Sequence, residues 1–132
     1  VGTMLAKIAP AMTVPAGLDV RLISRDDNVV QAYSNDPLVH GKISMKMGVD
    51  LFATGEMLIE QAGKITLPIL VIHGDADGIA QAEGSKAFFQ GVSSQDKTIK
   101  LYPGFYHETM NEPLSDRRQV LSDIVGWINA HT

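Results

Sequence analysis

The stretch Leu67–Asp77, LPILVIHGDAD, decides the fold of this 132-residue chain. It opens with a six-residue run of apolar, mostly branched side chains, Leu67–Ile72, that does not alternate with polar residues. A run of this length and composition is typical of a strand that is buried on both faces, as in a parallel sheet. Pro68 lies near its start, where a missing backbone donor is tolerated. An acidic turn then follows the strand directly.

After the acidic turn, the second half of the chain is predicted to continue with a helix, a strand and a last helix. One further strand is indicated by alternation and two helices by apolar residues at helical spacing. The order strand, helix, strand, helix predicts an α/β fold in which parallel strands are joined through a covering helix. The predicted elements are a helix over Ala82–Val92, a strand over Thr98–Tyr102, and a last helix from Ser115 or Asp116 to His131.

The first half differs, since residues 1–66 carry helix signals and chain breakers but no convincing strand. One helix is predicted after a cap at Asp26 or Asp27, and Pro37 prevents it from continuing. A longer helix is predicted over Gly41–Gly63, where apolar residues recur near helical spacing. We therefore divide the chain into a helical segment and an α/β part that begins at residue 67.

Composition narrows the classes of function. The formal net charge is -4, so the chain has no broad electrostatic attraction for nucleic acid. It contains no cysteine, which excludes a disulfide scaffold and a thiolate metal site and fits a reducing, cytoplasmic compartment. No apolar run approaches the roughly 18 residues of a membrane helix. We expect no transmembrane segment, no nucleic-acid partner and no cofactor.

Titratable residues follow both predicted strands. In open parallel sheets, ligands gather beyond the carboxyl ends of the strands. His73, Asp75 and Asp77 follow the first strand closely, and His107 follows the second. An acid and a histidine placed in this way could form a hydrogen-bonded pair in which the carboxylate orients the imidazole and stabilises its charged form. Asp and Gly also favour plain turns, so the residues alone leave a structural role equally open.

Several stretches resemble the end of monoacylglycerol lipases and bacterial lysophospholipase-like hydrolases, which have the α/β-hydrolase fold. These are Leu67–Asp77, the segment Ser93–Pro113 (SSQDKTIKLYPGFYHETMNEP), and the terminal amphipathic helix with Trp127. The segment Ser24–Ser44 (SRDDNVVQAYSNDPLVHGKIS) resembles the helical cap of the same family. The likeness covers nearly the whole chain and is most specific over Gln95–Glu112. The chain is thus similar to a cap followed by the carboxy-terminal part of the hydrolase core.

The resemblance assigns roles by position. The family acid lies three residues after the glycine that ends the strand, which makes Asp77 the match and Asp75 a neighbour. The family base follows a Tyr-Pro-Gly-x-Tyr segment, which gives His107. His73 is expected to be a packing or loop histidine. The implied reaction is cleavage of a carboxylic ester of a lipid, a monoacylglycerol or a lysophospholipid, through an acyl-enzyme.

The nucleophile of that family has no counterpart in this sequence. None of the serines lies in the Gly-x-Ser-x-Gly turn that exposes the family's catalytic hydroxyl. In this fold the triad follows the order Ser, Asp, His, so the resemblance implies that the serine and the oxyanion loop lie upstream of residue 1. We expect the chain by itself to be inactive. We also expect it to associate with the missing half, or with itself through exposed strand edges.

The helical segment is rich in flexible apolar side chains. Methionine adapts to irregular apolar partners, and such residues suit a cap that receives an acyl chain, although they also suit ordinary packing. The residues concerned are Met4, Leu5, Ile8, Met12, Met45, Met47, Leu51, Phe52 and Met57.

Two other functions fit parts of the sequence. An apolar strand followed by Asp-x-Asp also begins magnesium-dependent phosphatases, which would use Asp75 and Asp77. In this chain His73 and Gly74 lie between the apolar run and Asp75, unlike in those phosphatases. The acidic loop also does not fit a calcium-binding EF-hand, because Lys86 stands where a bidentate glutamate is required. The other alternative is a hydrolase-like module that binds a partner without catalysis.

Overall fold

The computed structural model describes residues 2–132 and forms two small sheets surrounded by helices. Three short 3-10 turns join the longer elements, at Val20–Leu22, Ala62–Lys64 and Thr109–Asn111. In chain order the helices and strands are α1 (Gly2–Ile8), β1 (Thr13–Pro15), α2 (Asp27–Asn35), β2 (Lys42–Ser44), α3 (Met45–Gln61), β3 (Ile69–Gly74), α4 (Ala82–Gly91), β4 (Lys97–Tyr102) and α5 (Leu114–Asn129).

The strands β3 and β4 are parallel neighbours, joined through α4. Their register runs from Ile69 opposite Lys97 to Gly74 opposite Tyr102. This arrangement confirms the predicted α/β class. Strand β3 begins and ends two residues later than the apolar run, because His73 and Gly74 still pair with β4. The predicted boundary at residue 66 falls between α3 and β3, and the division of the chain into two parts stays a prediction.

The expectation that residues 1–66 contain no strand is wrong. Strands β1 and β2 pair antiparallel, with Val14 opposite Ile43. Each has only three residues and is mostly exposed, so neither could show an apolar alternation in the sequence. Backbone hydrogen bonds extend the pairing beyond both ends, from Ala16 N–H to the Gly41 carbonyl and from Met45 N–H to the Met12 carbonyl, both 2.9 Å.

Helix starts follow local capping chemistry. Asp26 caps α2, since its Oδ1 accepts the Asn28 N–H at 3.0 Å, as the sequence predicted. Helix α3 begins four residues later than predicted because the preceding residues belong to β2, and Ser44 caps it instead. Helix α5 begins at Leu114, directly after Pro113, so the predicted caps at Ser115 and Asp116 are wrong. Proline at this point fixes φ where no helical donor is needed.

The buried core of the α/β part is small. Tyr102, Phe105 and Val120 form its centre, with Ile72 and Ile124 packed against it. The rings of Tyr102 and Phe105 are stacked with centroids 5.2 Å apart. Because these two residues flank the turn after β4, the core fixes the start of the loop that carries His107.

Among the residues that the structure describes, the sheet of β3 and β4 has an unpaired edge at β3. Within residues 2–132, β3 pairs with a strand on one side only. Beside it lies a groove of about 420 Å³ whose lining is almost wholly apolar. Trp127 lines this groove, and its Nε1 is buried without a hydrogen-bond partner in the described part of the chain. The groove residues are Pro68, Ile69, Leu70, Ile72, Met110, Ile124, Trp127 and Ile128.

In the part of the chain that the structure describes, no helix combines the length and the apolar character needed to cross a bilayer.

Candidate active site

The turn after β3 fixes the carboxylate of Asp77. The backbone N–H of Asp77 donates to the Gly74 carbonyl at 3.3 Å. Its Oδ1 accepts the N–H groups of Ile79 at 2.8 Å and Ala80 at 2.9 Å. Only 1% of the side chain is exposed. The turn thus holds one carboxylate oxygen against the backbone and leaves Oδ2 available for another partner.

The turn after β4 aims His107 at the same place. Gly104 has φ +75°, the left-handed region that glycine adopts without strain, and it follows Pro103 as in a type II turn. The Phe105 N–H closes this turn on the Tyr102 carbonyl at 3.3 Å. The Tyr-Pro-Gly-Phe sequence therefore has a local structural reason, which is to reverse the chain just before His107.

The two loops approach each other at Gly74. A Cβ atom at this position would overlap the carbonyl oxygens of Phe105 and Tyr106. The loops are also joined by backbone, since Ala76 N–H donates to the Phe105 carbonyl at 3.1 Å. Only glycine allows this distance between the end of β3 and the histidine loop.

The structure brings Asp77 and His107 into a hydrogen bond. His107 Nδ1 lies 2.8 Å from Asp77 Oδ2. Because an ionised carboxylate can only accept, Nδ1 donates, and this tautomer leaves Nε2 free to take a proton. The His107 side chain is 41% exposed and lines a cavity of about 400 Å³ with Ile72 and the residues 108–111. The pair can therefore act on a group that enters from solvent.

Opposing influences act on the pKa of Asp77. Burial raises it, whereas hydrogen bonds from the Ala80 N–H, from His107 and from the Ile79 N–H lower it. The hydrogen bonds prevail, so the pKa lies below the ordinary aspartate value. Asp77 is therefore ionised near neutral pH and able to stabilise an imidazolium on His107.

Asp75 plays a different part from Asp77. Its Oδ1 accepts the Gly104 N–H, so it fastens the turn after β4 to the turn after β3. The two carboxylates thus have separate partners. Within residues 2–132 no group of three or more His, Cys, Asp or Glu side chains could hold a metal ion.

His73 contacts the same carboxylate as His107, which the sequence did not indicate. Its Nε2 lies 3.1 Å from Asp77 Oδ2 and 2.8 Å from the Ala80 carbonyl oxygen. Its Nδ1 lies 2.8 Å from the Ser85 hydroxyl on α4. The spacing of four residues to Asp77 was visible in the sequence, but only the turn geometry brings both side chains together.

Glu112 is a second residue that sequence reasoning missed. Its side chain is fully buried. Its Oε1 accepts the Tyr106 N–H, and its Oε2 accepts the Nε of Arg25 at 2.9 Å and the backbone N–H of Arg25 at 3.1 Å. Glu112 thereby joins the helical segment of residues 1–66, which we call the cap-like segment, to the residue that precedes His107.

Backbone contacts strengthen this junction. The N–H of Glu108 donates to the Ile23 carbonyl at 2.8 Å, and the Ser24 hydroxyl donates to the Asn111 carbonyl at 2.8 Å. The guanidinium of Arg25 also lies 4.6 Å from the centre of the Phe105 ring. Residues 22–25 are therefore docked on the histidine loop.

The remaining histidines lie away from Asp77. His40 Nδ1 accepts the Lys42 N–H at 3.4 Å in an exposed loop. His131 stacks on Trp127 with ring centroids 4.0 Å apart, and its Nε2 contacts Asp96 at 2.9 Å. The carbonyl of Trp127 and the carboxylate of Asp96 raise the pKa of His131. His131 therefore has definite partners in Trp127 and Asp96.

Apolar grooves lie around α3, outside the Asp77–His107 pair. One of them, of about 550 Å³, includes Met47 and Leu51. Another of about 310 Å³ lies between α3 and α4 and includes Phe88 and Ser85, the hydroxyl partner of His73. Neither groove includes Asp77 or His107, and the geometry of that pair, rather than the volume of a groove, makes it the candidate site.

The fold is that of an α/β-hydrolase, and comparisons with known proteins agree. The Hydrolase_4 family model, described as serine aminopeptidase S33, matches residues 1–114. The chain therefore belongs to this family of α/β-hydrolases.

Within that family the chain is similar to monoacylglycerol lipases. It is 40% identical over 132 residues to a monoacylglycerol lipase of Mycolicibacterium smegmatis, which covers 99% of this chain and 46% of the relative. The crystal structure of Paleococcus ferrophilus monoacylglycerol lipase superimposes with a TM-score of 0.93 at 36% identity, covering 99% of this chain and 51% of the other. A soluble variant of monoglyceride lipase from Saccharomyces cerevisiae, solved with a substrate analog, gives 0.89 at 28% identity and covers 99% and 46%. The chain spans about half the length of these relatives.

Proposed function

We propose that this chain supplies the acid and the base of a serine hydrolase that cleaves lipid carboxylic esters, with Asp77 as the acid and His107 as the base. The observation that carries the proposal is the 2.8 Å hydrogen bond between His107 Nδ1 and the buried, ionised Asp77 carboxylate. The similarity to monoacylglycerol lipases supports a lipid ester as substrate.

The proposed reaction follows from this geometry. A serine hydroxyl attacks the ester carbonyl while His107 Nε2 accepts its proton, and Asp77 stabilises the resulting imidazolium. His107 then returns the proton to the departing alcohol, which leaves an acyl-enzyme. Water, deprotonated by His107, adds to the acyl carbon, and the proton passes back to the serine as the fatty acid departs.

We propose that the serine and the oxyanion donors lie in a segment that this chain does not include. The sequence has no Gly-x-Ser-x-Gly, and the chain covers only 46% and 51% of two relatives of the same family. The absence of cysteine is in keeping with a cytoplasmic location of the complete protein.

The cap-like segment offers surface for an acyl chain. Met47, Leu51 and Phe52 on α3 are 61%, 62% and 76% exposed, and an apolar groove runs beside the first two. These exposed side chains favour an aliphatic substrate over a polar one. A monoacylglycerol and a lysophospholipid share this aliphatic part and differ in the head group.

The test uses the complete protein that contains this chain. We expect it to release fatty acid from a monoacylglycerol emulsion, and we expect His107→Ala and Asp77→Asn each to lower kcat about 10⁴-fold. His40→Ala, a change at an exposed histidine of the cap-like segment, is the matched control and should leave kcat unchanged. Full activity in either of the first two variants would refute the assignment.

Parallel assays separate the substrate classes and the non-catalytic alternative. A lysophospholipid tests the head group, and an aminoacyl amide tests the peptidase activity that the family description names. The 132-residue chain alone should turn over a chromogenic short-chain ester negligibly, because it lacks the nucleophile. Robust turnover by the pure chain, abolished by His107→Ala, would contradict this.

A further inference from the structure

His73 lies near the end of β3, beside the proposed acid Asp77. Its side chain is 14% exposed and follows the apolar part of β3 immediately before Gly74. Both ring nitrogens have polar partners, with Ser85 at Nδ1 and the Ala80 carbonyl together with the Asp77 carboxylate at Nε2. A mostly buried imidazole whose two ring nitrogens both have hydrogen-bond partners is held in one orientation by that network.

The partners determine where the protons are. Nε2 faces two acceptors, the Ala80 carbonyl and Asp77 Oδ2, so Nε2 must carry a proton. The Ser85 hydroxyl can either donate or accept, so Nδ1 is satisfied whether the ring is neutral or charged. His73 therefore donates its Nε2–H to the Ala80 carbonyl with Asp77 Oδ2 3.1 Å away, and α4 holds the ring in place through Ser85.

Asp77 consequently accepts hydrogen bonds at both oxygens, and the N–H of His73 lies beside one of them. Oδ1 accepts two backbone N–H groups, including that of Ala80, and Oδ2 lies between His107 Nδ1 and His73 Nε2. Since Ala80 also accepts from His73, the ring bridges the turn and the carboxylate together. Rotation of the carboxylate away from His107 would break several of these contacts.

We propose that His73 is a positioning residue, which holds the Asp77 carboxylate toward His107 and limits how strongly that carboxylate stabilises the His107 imidazolium. This rests on the proposed function, in which Asp77 and His107 are the acid and the base. His73 acts only through Asp77, because its nitrogens are committed to the network and do not face the cavity that His107 lines.

The charged groups around His73 come from three elements. Asp77 belongs to the turn after β3, and His107 meets the same oxygen from the loop after β4. Glu83 on α4 also interacts electrostatically with His73. The hydrogen bond from Lys86 is the main cause that lowers the pKa of Glu83, and the effect of His73 on that pKa is smaller. The residue opposite His73 in β4 is the apolar Leu101. Asp77 is thus the partner through which a change at His73 reaches the site.

The test measures kcat/KM of the complete protein against pH with a chromogenic ester. In His73→Leu, Asp77 Oδ2 loses the polar N–H that lies 3.1 Å away, so the carboxylate should stabilise the His107 imidazolium more strongly and the acid limb should move up by about 0.5–1 pH unit. The plateau kcat should fall about tenfold because the carboxylate is less well oriented, while KM stays within about twofold. His73→Gln keeps an N–H donor and should restore the wild-type acid limb.

Ser85→Ala and Asp77→Asn complete the design. Ser85→Ala removes the anchor of the ring without a large change in volume and should shift the acid limb in the same direction as His73→Leu, by less. An unmoved acid limb in His73→Leu, or in Ser85→Ala if His73→Leu does not fold, would overturn the proposal, even where the Tm falls. Unchanged activity in Asp77→Asn would instead overturn the proposed function, so the two failures are distinguishable.

Discussion

Gly74 is the residue at which the two halves of the candidate site meet. The carbonyl groups of Phe105 and Tyr106 occupy the space that a side chain would need there. The sequence marked Gly74 only as the end of a strand and a reference point for Asp77. The structure adds that its lack of a Cβ decides how closely the acid loop and the base loop approach.

We expect Gly74→Ala to destabilise the protein by about 1–3 kcal/mol, because backbone on the opposite side must move to accept the methyl group. Urea unfolding followed by circular dichroism measures this loss. Gly84→Ala is the matched control: it lies in α4 with nothing within 4 Å of the added Cβ, and it should be neutral or stabilising by up to about 1 kcal/mol. Equal midpoints for the two variants would show that the close approach at Gly74 does not exist.

At the scale of elements, the junction between residues 22–25 and the histidine loop determines the site as much as the sheet does. Arg25 and Glu112 are its strongest contact, and the Glu112 side chain is fully buried. Such a carboxylate depends on its donors, because an unsatisfied buried acceptor carries a large desolvation cost.

Arg25→Ala should therefore lower the free energy of unfolding by about 1–3 kcal/mol, a moderate loss because the arginine is itself one-third exposed. It should also reduce esterase kcat in the complete protein, since the residue before His107 loses an anchor. Arg21→Ala is the control from the same segment: Arg21 is 82% exposed and pairs with the nearby Asp19, so its loss should leave the unfolding midpoint unchanged. Identical unfolding curves for both variants would contradict a role for the junction.

Element prediction succeeded where a pattern was long and failed where structure depended on distant partners. The buried run before His73 and the alternation before Pro103 indicated β3 and β4 directly, and a cap at Asp26 or Asp27 indicated α2. Strands β1 and β2 gave no signal in the sequence because three mostly exposed residues carry no periodicity, and each strand depends on a partner 27 to 31 positions away. Glu112 gave no signal because its burial depends on Arg25, 87 residues earlier. The resemblance selected Asp77 and His107, whereas the contact of His73 with the same carboxylate needed the turn geometry.

At the scale of the whole molecule, the apolar groove beside β3 is a surface that no other element of the described chain covers. The strand has no second neighbour within residues 2–132, and Ile128 on α5 is 47% exposed at the groove. The Trp127 Nε1 buried there has no partner in this part of the chain. A buried parallel strand normally has strands on both sides and helices over both faces, so this surface calls for a covering partner.

We expect the isolated 132-residue chain to self-associate through this surface, as seen by sedimentation velocity over a range of concentrations. Ile128→Glu should shift the distribution toward monomer, because it places a charge in the groove. Leu38→Glu, at a residue that is 89% exposed and outside the groove, should leave association unchanged. A monomeric, cooperatively folded wild-type chain at all concentrations would refute the expectation.

The junction between the cap-like segment and the histidine loop also has a consequence for the order of folding. Its hydrogen bonds join Ser24 and Arg25 to residues 87 positions later in the chain. Contacts of such long sequence separation form slowly, since a large loop must close before they are made. During synthesis, residues 22–25 emerge long before Asn111 and Glu112 and must wait for them. The final alignment of His107 is therefore a late event in folding, because it waits until Asn111 and Glu112 have been synthesised and have reached residues 24 and 25.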